Sequence, residues 1–139
     1  MTGLEQVEAL LAAGKQPPIG ETLAFSLVEV AKGHAVFEGT PDGRVYNPLG
    51  TVHGGYAATL LDSACGIATH SALAEGQSYT TLELKIAYHR AMTADTGPVR
   101  AVGTVLSIGR RVAFAEARLT DAQGRLLASA TSTLLVISQ

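Results

Sequence analysis

The sequence predicts an α+β fold in which a six-stranded antiparallel sheet wraps around one long helix. Three observations predict it. The segment from His53 to about Leu73 is rich in Ala and Leu and has helical character, two strand-like segments precede it, and four follow it. The helical segment contains five alanines. Because such small side chains let a curved sheet approach closely, we expect this helix to lie inside the sheet.

Residues 1–19 are expected to form a short N-terminal helix and a loop. Four apolar residues recur there at helical spacing, namely Leu4, Val7, Leu10 and Leu11. Gly14 and the pair Pro17-Pro18 then end the helix. Strand-like patterning runs from Thr22 to Glu38, and Lys32-Gly33 in its middle predicts a hairpin turn.

The chain after Gly76 consists almost entirely of strand-like segments. Their bounds are Thr80 to His89, Val99 to Ile108, Val112 to Thr120 and Leu126 to Ile137. In the first segment large apolar residues alternate from Leu82 to Tyr88. We expect the four segments to form an antiparallel meander. No repeat or linker interrupts the chain, so residues 1–139 are expected to form a single domain.

The composition narrows the class of protein. Charged residues make up 16% of the chain, below the ~25% of typical soluble domains, so part of the surface is expected to be covered in an oligomer. The net charge of −2 gives no reason to expect nucleic acid or an acidic membrane as a partner. Cys65 is the only cysteine, and no signal peptide or 18-residue apolar run is present. We therefore expect a cytoplasmic protein.

Two glycines, Gly54 and Gly55, stand where the long helix is expected to begin. Backbone N–H groups at a helix N-terminus lack intrahelical partners and lie at the positive end of the helix dipole. They suit an anion or a developing oxyanion, and glycine lets a ligand carbonyl come close to the backbone. The alternative is an ordinary turn, which glycines also mark.

Asp62 lies in the apolar part of the same helix, nine residues after His53. A carboxylate among apolar neighbours suits a general base or a nucleophile, although an exposed polar stripe would also explain it. Nine residues turn through ~900° and rise ~13 Å, so the two side chains would face opposite sides of one helix. If both act in one site, a second subunit must supply one of them. The spacing therefore predicts a dimer.

The run from Asn47 to Gly55, continued to Asp62, resembles the signature of hotdog-fold acyl-CoA thioesterases. It is most similar to the phenylacetic-acid-pathway (PaaI-type) branch and its 4-hydroxybenzoyl-CoA and human acyl-CoA relatives. The resemblance extends to LELKIAYHRAM (82–92), GRRVAFAEARL (109–119) and residues 121–137, and covers the chain from about residue 20. It implies the hotdog fold, homodimers that usually pair into homotetramers, and an active site between subunits.

The resemblance also implies roles for individual residues. Gly54 donates its N–H to the thioester carbonyl, and His53 orients that loop. Asn47 helps to hold the water or the acyl group. Asp62 of the second chain is the acidic catalyst, either as nucleophile or as base for water. Thr81 positions the water beside the acid.

Coenzyme A is expected to be part of the substrate, and no metal or other cofactor is implied. In relatives the loop that matches Gly109, Arg110 and Arg111 meets the nucleotide end of coenzyme A, and paired arginines suit phosphate binding. Arg90 is a further candidate for this contact. A solvated turn is the alternative for the Gly-Arg-Arg loop.

The sequence therefore predicts an acyl-CoA thioesterase, with the acyl group left open between aryl and medium- or long-chain groups. Two alternatives are a hotdog dehydratase or hydratase that acts on acyl thioesters, and a non-catalytic acyl-CoA binding domain. The spacing from Asn47 through His53 to Asp62 argues against the first. A carboxylate at position 62 argues against the second, because a binding domain needs none near the thioester.

Overall fold

The computed structural model describes residues 1–139 and consists of three α-helices and a six-stranded sheet. The helices are α1 (Gly3–Ala12), α2 (Pro18–Leu23) and α3 (Gly54–Ser71). The strands are β1 (Phe25–Ala31), β2 (His34–Gly39), β3 (Gln77–Tyr88), β4 (Val99–Ile108), β5 (Val112–Asp121) and β6 (Leu126–Ser138). All strand pairs are antiparallel and α3 contacts every strand. The predicted fold class is thus confirmed.

The central helix α3 is held by close packing of small residues against the sheet. Its Ala57, Leu60, Leu61 and Ala64 are 0% exposed. At Gly103 in β4 the approach is so close that an added Cβ atom would overlap the carbonyl oxygen of Ala64.

No helix of the molecule combines the length and the apolar character needed to cross a membrane.

The region before β1 differs from the prediction. Thr22 and Leu23 were expected to open a strand, but they end α2, and β1 begins only at Phe25. Pro18 occupies the first position of α2, where its fixed φ angle suits a helix and its missing N–H costs nothing. Ala24 ends the helix in the left-handed conformation, with φ at 57°.

The N-terminal segment is tied to the rest of the molecule at two places. The Gly3 N–H donates to the Leu73 carbonyl oxygen at 3.0 Å, which fixes α1 against the end of α3. The side chain of Gln16 accepts from the Leu27 N–H at 2.9 Å and donates to the Leu27 carbonyl at 3.3 Å. Gln16 therefore covers part of the outer edge of β1.

The strand order is β1-β2-β4-β5-β6-β3, so the prediction of a four-strand meander is wrong. Only β4, β5 and β6 follow one another, whereas β3 pairs with β6 and β4 pairs with β2. The chain crosses the end of the sheet between β3 and β4 and places β3 at the edge. All 12 residues of β3 have one neighbouring strand only, and the other side of β3 is a free edge.

A β-bulge at Leu82 changes which residues of β3 face the helix. Thr81 pairs with Leu134 and Glu83 with the preceding residue Thr133, so Leu82 is the extra residue. Leu82 is 58% exposed, contrary to the alternation predicted from Leu82 to Tyr88. Without the bulge, Thr81 and Leu84 would face opposite sides of the sheet; with it, both are directed inward and are partly buried.

Candidate active site

The N-terminus of α3 presents one unpaired backbone donor. His53 caps the helix: its Nδ1 accepts from the Gly55 N–H at 2.7 Å, while its own N–H donates to the Val45 carbonyl at 2.8 Å. The Tyr56 N–H donates to the His53 carbonyl at 3.0 Å. The Gly54 N–H has no acceptor within the chain. A free donor at the positive end of an 18-residue helix can stabilise an oxyanion.

Tyr88 completes this end of the site, and sequence reasoning missed it. Its hydroxyl donates to the Gly54 carbonyl at 2.7 Å. A Cβ atom on residue 54 would lie 3.0 Å from that hydroxyl oxygen, which explains why glycine fits here. The groove in front of Gly54 has a volume of about 510 Å³, and Arg90 and Met92 lie among its lining residues. The only sequence signal for Tyr88 was its place at the end of an alternating strand.

Asp62 lies in a second, separate pocket. The Thr81 hydroxyl donates to the Asp62 carboxylate at 3.0 Å, so the structure brings these two predicted site residues together within one chain. The pocket has a volume of about 190 Å³, and Asp62 and Thr81 lie in its wall. Its other lining residues are Pro17, Phe37, Ser63, Gly66, Ile67 and Tyr79. Sequence reasoning named none of these as pocket residues, because they come from four distant parts of the chain.

The only cysteine near Asp62 is not a nucleophile. Cys65 is 0% exposed, and burial, with a smaller contribution from the charge of Asp62, raises the pKa of its thiol to about 12. Because the thiolate is the reactive form, Cys65 is inert at neutral pH. It packs in the core between α3 and the sheet.

The two parts of the site do not meet within one chain. Gly54 and Asp62 are eight residues apart on α3, which corresponds to ~12 Å along the helix axis. The groove at Gly54 and the pocket at Asp62 have no lining residue in common. One chain therefore holds an oxyanion half-site at Gly54 and an acid half-site at Asp62.

Asn47 is engaged in its own loop. Its side-chain oxygen accepts from the N–H groups of Leu49 at 2.9 Å and Thr51 at 3.2 Å. Its side-chain nitrogen donates to the Thr51 hydroxyl at 2.9 Å. These bonds hold the loop that leads into His53. The predicted contact of Asn47 with the water or the acyl group stays a prediction.

The candidate arginines lie at opposite ends of β3. Gly109, Arg110 and Arg111 form the exposed turn between β4 and β5. The Arg111 carbonyl accepts from the N–H of Val136, and Val136 pairs with Tyr79, so this turn lies at the end of the sheet that carries the acid half-site. Arg90 lines the groove of the oxyanion half-site. None of the three arginines forms an ion pair within the chain.

The chain thus combines a helix wrapped by an antiparallel sheet with a free donor at the start of that helix and a hydrogen-bonded carboxylate two turns later. The family model of the thioesterase superfamily matches residues 49–128, and the chain belongs to this superfamily.

The chain is also similar to individual proteins of this kind. The chain is 29% identical over 116 residues to a 1,4-dihydroxy-2-naphthoyl-CoA hydrolase of Listeria monocytogenes, a match that covers 84% of this chain and 93% of the relative. It is 28% identical to the phenylacetic acid degradation protein PaaI of Thermus thermophilus, solved as a point mutant, with a TM-score of 0.77 and coverage of 86% and 98%. A Streptococcus mutans protein bound to acetyl CoA is 27% identical, with a TM-score of 0.75 and coverage of 83% and 90%.

Proposed function

We propose that this protein hydrolyses acyl-CoA thioesters, aryl or medium- to long-chain, at a site formed by two copies of the chain. The observation that carries the proposal is the free Gly54 N–H at the start of α3, in a chain that also holds Asp62 against Thr81. The related Listeria enzyme is a CoA-ester hydrolase, and the Streptococcus relative binds acetyl CoA. Both support a CoA thioester as the substrate.

The chemistry follows from the two half-sites. The thioester carbonyl oxygen accepts from the Gly54 N–H, which stabilises the negative charge that develops during attack. In one route Asp62 takes a proton from water while the water oxygen attacks the carbonyl carbon. In the other route the Asp62 carboxylate attacks, and water then hydrolyses the mixed anhydride. In both routes the carbon–sulfur bond breaks, the sulfur leaves as coenzyme A, and the products are a carboxylic acid and a thiol.

The free edge of β3 is the surface through which we propose that two copies pair. Antiparallel pairing about a two-fold axis near Lys85 sets Leu84 opposite Ile86 of the second copy, and both face inward. Because Leu82 is an extra residue, Thr81 then lies level with Tyr88 of the second copy. Thr81 holds Asp62, and Tyr88 holds Gly54. Each acid half-site thereby faces an oxyanion half-site. The two Lys85 side chains, one from each copy, lie opposite each other on the solvent side, where they are flexible enough to point apart.

The same pairing gathers cations around the substrate. Arg110 and Arg111 of one copy, at the acid end of β3, approach Arg90 of the other, at the oxyanion end. We propose that these side chains contact the phosphates of coenzyme A, for which the guanidinium group has the matching fork geometry. The low charged fraction of the chain further supports pairing of dimers into tetramers. A single buried cysteine fits a cytoplasmic location.

The first test is release of free thiol from a panel of acetyl-, octanoyl-, palmitoyl-, benzoyl- and phenylacetyl-CoA. We expect hydrolysis of at least one aryl or fatty class, with saturation kinetics. Tight binding of these thioesters in calorimetry, without any release of thiol, would contradict the proposal and favour a binding domain.

Complementation tests the composite site. Asp62→Asn removes the acid and Gly54→Pro removes the backbone donor, and each variant alone should be nearly inactive. In a mixture of equal amounts with exchanged subunits, half of the dimers are mixed, and each mixed dimer has one site with both groups intact. We therefore expect activity to recover to about a quarter of the wild-type value. If differential tags verify that mixed dimers have formed and these dimers are inactive, the two groups must act within a single chain, and the composite site is wrong.

A further inference from the structure

Tyr79 forms a fixed wall of the pocket beside Asp62. Its ring lies over Gly66, one helical turn after Asp62: a Cβ atom on residue 66 would lie 3.2 Å from both the hydroxyl oxygen and the Cε2 atom of Tyr79. The His70 ring packs beside it, with ring centroids 5.6 Å apart. The absence of a side chain at Gly66 therefore lets the phenol extend across the face of α3 that carries Asp62.

The hydroxyl of Tyr79 has no hydrogen-bond partner in the chain. Burial, with a smaller contribution from the charge of Asp62, raises the pKa of this phenol, so the group keeps its proton and can donate. Its oxygen is not fully buried, so water can satisfy it in the free chain, and a polar group of a ligand can replace that water. The pocket in front of it is the place from which such a partner would come.

The volume of the pocket limits what can occupy it. It measures about 190 Å³, and an apolar cavity of about 150 Å³ is known to hold one benzene molecule. Phe37, Ile67 and Pro17 supply apolar walls, and the hydroxyls of Tyr79 and Ser63 are polar groups there without a hydrogen-bond partner in the chain. The space suits one ring or a short branched chain with a polar substituent.

We propose that Tyr79 is a specificity-determining residue: its ring, seated on Gly66, limits the length of the acyl group, and its hydroxyl donates a hydrogen bond to a polar substituent at the far end of that group. The inference rests on the proposed function, because it takes the acyl group to enter the pocket beside Asp62. Tyr79 acts on selection of the acyl group and has no part in bond breaking.

The hydroxyl is tested with Tyr79→Phe, which keeps the ring. The readout is the ratio of kcat/KM for ring-hydroxylated benzoyl-CoA esters to kcat/KM for benzoyl-CoA, with each hydroxyl position assayed separately. For the position that reaches Tyr79, we expect the ratio to fall about tenfold, mainly through KM, because one hydrogen bond is lost. The kcat/KM of Tyr79→Phe for benzoyl-CoA itself should stay within about twofold of the wild-type value. Ser78→Ala, on the same strand but on the opposite face, is the matched control and should leave every ratio unchanged.

The ring is tested with two variants of opposite effect. Gly66→Ala brings a methyl group against the phenol and should lower kcat/KM for benzoyl-CoA relative to acetyl-CoA. Tyr79→Val removes the wall and should raise kcat/KM for octanoyl-CoA relative to benzoyl-CoA. A wild-type chain that hydrolyses no thioester would overturn the proposed function. An active wild-type enzyme whose ratios are the same in Tyr79→Phe and Tyr79→Val would overturn only the role of Tyr79.

Discussion

Asp62→Asn is expected to lower kcat by roughly 10³-fold while KM changes little. The amide can neither take a proton from water nor attack the thioester, and loss of a general base typically costs 10²–10⁴-fold. The amide oxygen can still accept from the Thr81 hydroxyl, which now donates to the carboxylate at 3.0 Å, so the pocket should keep its shape. Thiol release under saturating acyl-CoA measures the effect, and circular dichroism checks the fold.

Glu83→Gln is the matched control for loss of a negative charge. Glu83 lies two residues after Thr81 on β3, but it is exposed and accepts from the Thr133 hydroxyl at 3.2 Å. Its replacement should leave kcat within about twofold. If Asp62→Asn retained more than a tenth of the wild-type kcat, Asp62 would not be the acidic catalyst. A single turnover in heavy-oxygen water that labels Asp62 would identify the nucleophile route.

Gly54→Pro compared with Gly54→Ala is expected to show the second large effect. Both variants add a Cβ atom against the Tyr88 hydroxyl, but only proline removes the N–H. Proline is tolerated at the first position of a helix, and His53, with φ at −58° and ψ at 136°, already has the backbone conformation that a following proline requires. Loss of one oxyanion donor typically costs 10²–10³-fold in kcat, so Gly54→Pro should be slower than Gly54→Ala by about that factor.

The comparison between the two Gly54 variants isolates the donor from the steric change. Both proteins should unfold at similar temperatures, because the Gly54 N–H has no partner in the chain to lose. Equal kcat values in the two variants would mean that the Gly54 N–H does not stabilise the oxyanion. Gly43→Ala is a suitable reference, since an added Cβ atom there meets no atom within 4 Å.

The local parts of the structure could be predicted from sequence because short-range chemistry decides them. α3 was predicted from His53 to about Leu73 because that segment is rich in Ala and Leu, and it runs from Gly54 to Ser71. Its start was predicted because a histidine and two glycines precede the apolar run. The hairpin at Lys32-Gly33 was predicted from a local signal of the same kind, a Lys-Gly pair between strand-forming residues. In the structure β1 pairs with β2, and Gly33 adopts the left-handed conformation with φ at 74°.

The errors have a common physical origin in contacts between distant parts of the chain. The order of strands depends on which edges meet across the helix, and consecutive strands are neighbours only as a tendency. The bulge at Leu82 leaves no mark in a regular apolar alternation, yet it decides that Thr81 faces Asp62. Tyr79 and Tyr88 were missed because each gains its role from a glycine of α3 that is distant in sequence.

The class of fold, the start of the central helix and the single acid within it could be predicted from the amino-acid sequence alone. These follow from periodicity and residue type along a continuous segment, which local interactions enforce. The three-dimensional structure was needed to show that β3 is a free edge, that Thr81 donates to Asp62, and that Tyr79 closes the adjoining pocket over Gly66. Each of these depends on strand pairing and on the packing of side chains against α3, and both are set by the whole chain at once.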